Sequence, residues 1–237
     1  MDYAIIWLKK YIPGPIKHAL KVLGISKLLS LFWNNYTAEL AYQKGLMKGL
    51  RDNKSKVLEY WERYRYFDEI NAICKIEGTT KVLDVGCGIS TVLHFIDGER
   101  YGIDPLADRY KQLYPYPEGI NIRKGFGEDI PFPDEYFDIV FCSSALDHIT
   151  NPQKAITETH RVLKPNGFFV LSVEIFKEKE VSDHSLHSLT KRDVYSLLEG
   201  KLRTILERES PRIALRAYVN GSRKTYNKEL VMLLKKA

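Results

Sequence analysis

Between Lys81 and Leu171 the chain alternates short apolar runs with helix-length segments, and few folds accept that rhythm. The runs are Val82-Leu83, Tyr101-Gly102-Ile103, Phe137-Asp138-Ile139-Val140-Phe141 and Phe168-Phe169-Val170-Leu171. Each is bounded by Gly, Pro or charge and reads as a strand buried on both faces. Residues 90–96, 108–114 and 152–163, lying between the runs, have helical length and composition. Strands alternating with helices define an α/β domain around a mostly parallel sheet. Residues 202–208 and 229–234 read as two further strands, separated by a stretch containing Gly221 and completing the sheet as a hairpin, with a helix expected from Thr190.

The first third has a different texture. Pro13-Gly14-Pro15 interrupts a short apolar segment. Ile16, Ala19, Leu20, Leu23 and Leu31 then recur at helical spacing, with Lys17 and Lys21 on another face. Residues 36–47 and 57–73 read as further helices; the second carries Tyr60, Trp61, Tyr64, Tyr66 and Phe67, expected as core or pocket wall. Charge follows the same division. The formal net charge is +6; residues 1–75 hold 13 basic and 7 acidic side chains, whereas residues 76–237 hold 23 of each. We therefore expect a basic helical N-terminal extension over residues 1–56 and an α/β domain over residues 57–237.

Composition removes several classes. An apolar fraction of 44% is too high for disorder. No run of about 18 apolar residues exists to span a bilayer. The stretch from Tyr3 to Leu8 is too short for a secretion leader, and Lys9-Lys10 follow it rather than precede it. Cys74, Cys87 and Cys142 are too widely spaced for a disulfide framework or a zinc site, so no metal is expected and a reducing, cytoplasmic setting is.

The segment Lys81-Val82-Leu83-Asp84-Val85-Gly86-Cys87-Gly88-Ile89-Ser90 carries the most chemical information. A strand ends in Asp84-Val85, and a Gly-x-Gly turn leads into an expected helix. Without Cβ atoms, Gly86 and Gly88 permit a tight turn and close approach of a ligand. A dinucleotide fingerprint would place a third glycine at Thr91, and a carboxylate at Asp84 would repel a pyrophosphate. Asp84 suits a cationic ligand instead. Asp104 follows 20 residues later, in Tyr101-Gly102-Ile103-Asp104-Pro105, where an acid at a strand end can bind both ribose hydroxyls.

These residues resemble the class I S-adenosylmethionine-dependent methyltransferases. The resemblance runs from about Val57 to Ala237 in five ordered pieces. They are the glycine turn at 82–88, Asp104, the stretch 128–134 with Phe137-Asp138-Ile139-Val140, Leu146-Asp147-His148-Ile149 with Pro152, and Arg161-Val162-Leu163-Lys164-Pro165-Asn166-Gly167. It implies a Rossmann-like three-layer sandwich whose seven-stranded sheet is mostly parallel with a C-terminal antiparallel strand. It also implies S-adenosyl-L-methionine as cofactor and S-adenosyl-L-homocysteine as product. Asp84 with Gly86, Cys87 and Gly88 would hold the amino-acid end and Asp104 the ribose; Ile103, Pro105 and Phe126 would wall the adenine near Gly127 and Glu128, with Ser143 at the next strand end. The chain departs from the family pattern at Ser90, at Asn166 and, most tellingly, at Phe126, where the resemblance implies an acid for the adenine amino group. Either Glu128 makes that contact, or backbone near Gly127 does while Phe126 stacks.

Two clusters are candidates for chemistry on the acceptor. Asp147-His148 follows the fourth strand, with His148 facing substrate or shaping the cofactor pocket. Asp183-His184-Ser185-Leu186-His187 follows the fifth strand, with His184 and His187 as base, orienting group or solvated loop residues. Cys142 is expected to be a buried thiol. The reading is methyl transfer to a small-molecule, lipid-linked or glycan acceptor, at oxygen. The alternatives are an RNA or protein methyltransferase using the basic extension, and a non-catalytic S-adenosylmethionine-binding scaffold. Residues 16–33 form a basic amphipathic segment ending in Phe32-Trp33, suited to closing over the acceptor or to peripheral contact with an anionic membrane. Nucleic acid is the less favoured partner, because no RNA-binding module is recognisable.

Overall fold

A computed structural model describes residues 35–178, 186–215, 218 and 227–236. The amphipathic segment 16–33 and His184 lie outside them. Residues 42–237 contain one compact unit. Its elements are α1 (Asn35–Asp52, which begins before the unit), α2 (Lys54–Arg65), α3 (Phe67–Cys74), β1 (Lys81–Val85), β2 (Glu99–Asp104), α4 (Ala107–Leu113), β3 (Ile120–Lys124), β4 (Phe137–Ser143), α5 (Pro152–Val162), β5 (Leu163–Ile175), α6 (Lys191–Leu198), β6 (Leu202–Pro211) and β7 (Lys228–Lys236).

The sheet has seven strands in the order β3-β2-β1-β4-β5-β7-β6. β1 to β5 pair in parallel, and β7 runs antiparallel between β5 and β6. The two C-terminal strands pair as a hairpin would, yet β7 lies inside the sheet and β6 at its edge. Their burial explains this. Six residues of β7, Glu229 to Leu234, are buried, whereas β6 is exposed at most positions.

The apolar runs are buried on both faces. Val140 and Cys142 of β4 join the core cluster containing Ala155 and Ile156 of α5 and Val194 and Leu198 of α6. Ile139 and Phe141 alternate to the other face and are buried too. Arg161 ties α5 to the loop before β4, donating to Ile130 O and Phe132 O at 2.9 Å. Asn166 takes a left-handed φ of 63°, a conformation asparagine tolerates better than most residues.

The structure differs from the sequence reading in three places. The segment 90–96 forms only a single 3-10 turn, Val92–His94, capped by the Thr91 hydroxyl. Ile89, Val92, Leu93 and His94 are all buried, and Asp97-Gly98 leads directly into β2, leaving no length for an α-helix. The stretch 57–73 is two helices, because Tyr66 takes a φ of 53° and breaks the ladder. Finally, β3 is a strand that no apolar run announced. It is an edge strand in which only Ile120 and Ile122 point inward, so its sequence is mostly polar.

Candidate active site

The strand order reverses between β1 and β4, which opens a crevice at their carboxyl ends. The Gly86–Gly88 turn forms one side. Gly86 N and Cys87 N donate to Ile103 O at 2.9 and 3.2 Å, folding the turn onto β2. Gly86 has a φ of +71°, and a Cβ there would overlap that of Ala145, so glycine is required twice over. The Cys87 side chain turns inward, its Sγ against Gly102, and burial raises its thiol pKa far above the usual value. Only its backbone faces the turn's outer side.

Asp84 is 2% exposed. Its Oδ2 accepts from the Thr91 hydroxyl at 2.6 Å, and its Oδ1 has no hydrogen-bond partner among the described residues. Burial, opposed by Thr91 and reinforced by the charge of Asp104, pushes this carboxyl up to about 7. Folding thus strengthens the hold on its proton relative to the ordinary value of 3.8. The stabilising contribution is complete below about pH 4 and disappears as pH rises through 7. Thermal unfolding of the ligand-free protein should therefore show a midpoint falling between about pH 4 and 7, and Asp84→Asn should flatten that slope. An unchanged slope in the variant would mean that another group titrates.

Asp104 closes β2. Its Oδ2 accepts from Gly88 N at 3.2 Å and its Oδ1 from Leu106 N at 2.8 Å. Pro105 follows, half-buried. Tyr116 donates to Gly88 O at 2.7 Å and stacks at 9° on His94, whose Nε2 meets Ile89 O at 2.8 Å. On α1, Gln43 Oε1 accepts from Ile89 N at 2.9 Å. Sequence reading missed Gln43, Tyr116 and His94. Their only local signal was the aromatic run Tyr110, Tyr114, Tyr116.

On the loop after β3, Phe126 is 44% exposed, its ring free to meet a flat group. Gly127 is buried against Val85 and Ile149. Glu128 accepts from Asn151 N at 3.0 Å and so braces the start of α5. That contact disfavours Glu128 as the adenine's acid.

The β4 end forms the opposite wall. Ser143 Oγ is buried without a partner among the described residues, and Ser144 takes a left-handed φ of 52°. Asp147 is 4% exposed; its Oδ1 lacks a partner among the described residues and its Oδ2 lies 3.6 Å from Nε2 of the exposed His148. Leu186 N and His187 N both donate to Asp147 O, at 2.9 and 3.1 Å. His187 Nε2 lies 3.0 Å from Ile149 O, which occupies one ring nitrogen in holding the loop.

Behind this wall lies a buried ionic group that the sequence did not announce. Arg65 donates to Ser172 Oγ at 2.6 Å, Ser144 Oγ at 2.8 Å and Tyr60 Oη at 3.1 Å, and pairs with Glu229. Arg212 pairs with Glu229 at 3.0 Å and approaches Glu174 at 3.7 Å. Among the described residues no group of three or more His, Cys, Asp or Glu could hold a metal, and no helix is long and apolar enough to cross a membrane.

Known proteins share parts of this sequence and its fold. Residues 83–171 match a methyltransferase domain family. The chain is 32% identical over 140 residues to an uncharacterized methyltransferase, YcgJ, of Bacillus subtilis, covering 55% of this chain and 54% of that one. It is 34% identical over 100 residues to the ubiquinone biosynthesis O-methyltransferase of Pseudomonas syringae, covering 37% of this chain and 41% of that one. The chain spans about half or less of the length of these curated relatives. The crystal structure of YcgJ superposes with a TM-score of 0.56 at 19% identity, over 71% of this chain and 97% of that one, a likeness of fold. Residues 83–171 are thus similar to a methyltransferase domain, and the fold around them is like that of a solved methyltransferase. The methyltransferase domain match and the solved S-adenosylmethionine-dependent neighbours support S-adenosyl-L-methionine as the cofactor.

Proposed function

We propose that the protein transfers a methyl group from S-adenosyl-L-methionine to an oxygen of a small-molecule, lipid-linked or glycan acceptor. One observation carries the reading. Two buried carboxylate oxygens, Asp84 Oδ1 and Asp147 Oδ1, lie unpartnered among the described residues near the ends of the two strands that flank the crevice. An orphaned buried acceptor is costly unless a ligand group completes it. The residues fit the cofactor. Asp84 suits its cationic amino-acid end, beside the Gly86, Cys87 and Gly88 backbone. Asp104 accepts from ribose hydroxyls, with Pro105 alongside. Phe126 offers a ring face to adenine while backbone near Gly127 meets its edge, and Ser143 Oγ offers a further polar contact. The cofactor supplies an electrophilic methyl group on a sulfonium centre.

The chain's contribution is mainly alignment of the acceptor, which supplies about 7–11 kcal/mol in favourable cases. An acceptor hydroxyl also needs somewhere to leave its proton. Asp147 is the better placed base, with His148 beside it leading to solvent. His187 serves to hold the loop, and His184 remains a candidate base on sequence grounds. The similarity to an O-methyltransferase supports oxygen as the acceptor atom.

Cofactor affinity should rise about tenfold from pH 6 to pH 8 as Asp84 ionises, with proton release on binding and no such trend in Asp84→Asn. The activity is tested by incubating the protein with a labelled methyl donor and small-molecule, lipid, glycan, RNA and protein pools from a cell lysate. Label should enter the first three. Label confined to RNA or protein would overturn the acceptor reading, and cofactor binding with no transfer to any pool would make the protein a scaffold.

A further inference from the structure

A second cleft, of about 530 Å³, lies beside the acceptor wall and shares no described residue with the glycine-turn site. That volume is in the range of small-molecule sites. Tyr64, Tyr66 and Tyr218 line it together with Glu59, Arg63 and Ser210. The three tyrosines are half-buried, each presenting part of a ring. Tyr64 and Tyr218 meet edge to face with centroids 5.5 Å apart, so the exposed ring surfaces stand at an angle of 73°. The left-handed break at Tyr66 is what turns the chain here between α2 and α3. Behind the tyrosines, the buried Tyr60 packs 5.5 Å from Tyr64 and 5.8 Å from Tyr218. Tyr60 also receives a hydrogen bond from Arg65, which holds Ser144 at the end of β4. The cleft is thus joined to the acceptor wall through two side chains.

The lining selects among ligands. A quaternary ammonium would suit aromatic faces. Here, however, the Arg63 guanidinium already sits 5.6 Å from the Tyr64 centroid, and Glu59 lies 4.0 Å from Arg63; burial and the Glu59 carboxylate together raise the pKa of the Tyr218 hydroxyl. Among the described lining residues the cation and the anion balance each other, so neither a cationic nor an anionic ligand gains from them. A purely apolar ligand would strand the carboxylate, guanidinium and hydroxyl groups. What remains is a neutral molecule with an apolar C–H face for the rings and many hydroxyls for Glu59, Arg63 and Ser210. We propose that this cleft binds a sugar ring. It narrows the acceptor to a saccharide-bearing one and rests on the methyl-transfer reading for that link, while the binding itself is tested separately.

Saturation-transfer NMR on the full chain, with methyl β-glucoside, maltose, chitobiose and dodecyl maltoside below its micellar concentration, tests it at about 1–10 mM, where weak binding is measurable. At least one free saccharide should bind, with saturation strongest at its ring C–H protons. Tyr218→Ala and Tyr64→Ala should weaken binding by about tenfold, while Tyr218→Trp retains it. All variants should bind S-adenosyl-L-homocysteine as the parent does, which shows that they fold. Free maltose binding as well as dodecyl maltoside identifies the sugar as the recognised part. Binding of dodecyl maltoside alone, of tetramethylammonium in place of every sugar, or of sugars unaffected by the tyrosine changes, would overturn the proposal. Loss of methyl transfer with sugar binding intact would instead count against the reading it rests on.

Discussion

Asp104→Ala is expected to weaken S-adenosyl-L-homocysteine binding by about 10²–10⁴-fold, measured by calorimetry. Hydrogen bonds to a charged acceptor contribute about 1.5–3 kcal/mol each, and we assign this carboxylate two ribose hydroxyls. The substitution also frees Gly88 N and Leu106 N, which Asp104 now accepts from, so the glycine turn loses its tie to the end of β2. Asp104→Asn separates the two effects. It keeps an oxygen for one backbone N–H but removes the charge, and should bind with intermediate affinity. Affinity of Asp104→Ala within about twofold of the parent would remove Asp104 from the cofactor site.

Arg65→Ala should be the most destabilising single change near the acceptor wall. Arg65 is 5% exposed and is held by Glu229, Ser172, Ser144 and Tyr60. Removing one partner of a buried ion pair costs about 3–5 kcal/mol, because the other charge stays buried. Arg212 still neutralises part of Glu229, which places the expectation at the lower end, about 3 kcal/mol. In a chain of this size that lowers the thermal midpoint by about 6–12 °C. The paired change Arg65→Met with Glu229→Gln should recover part of the loss, since no unmatched charge remains. A midpoint within about 2 °C of the parent for Arg65→Ala would show that solvent reaches Glu229.

The cofactor side of the crevice was legible because its parts are local. Asp84, Gly86 and Gly88 occupy one turn, and Asp104 sits at the next strand end, so the cofactor roles we propose for them rest on backbone geometry over a few residues. The acceptor side was not. Arg65 meets Ser172 across 107 residues of sequence, and Tyr60 meets Ile213 across 153. Nothing in the spacing of Tyr60 to Phe67 distinguishes a tyrosine that packs from one that lines a cleft. The difference is made at Tyr66, where a single left-handed residue ends α2. The strand β3 was illegible for another reason: an edge strand needs only alternate apolar residues, and two are too few to stand out. His187 looked like chemistry because histidine is chemically versatile, but its contact with Ile149 O depends on where the loop after β5 happens to return.

The sequence by itself determined six of the seven strands, the parallel sheet and the class of cofactor. Apolar runs must be buried on both faces, and a Gly-x-Gly turn after an acid admits few ligands. Tertiary structure alone decided that β7 lies inside the sheet, that Asp84 is desolvated enough to hold a proton near neutrality, and that Arg65 braces the end of β4. Each of these depends on how much water reaches a group once distant segments pack together. Desolvation and long-range pairing belong to the packed molecule, whereas periodicity and turn chemistry are written residue by residue along the chain.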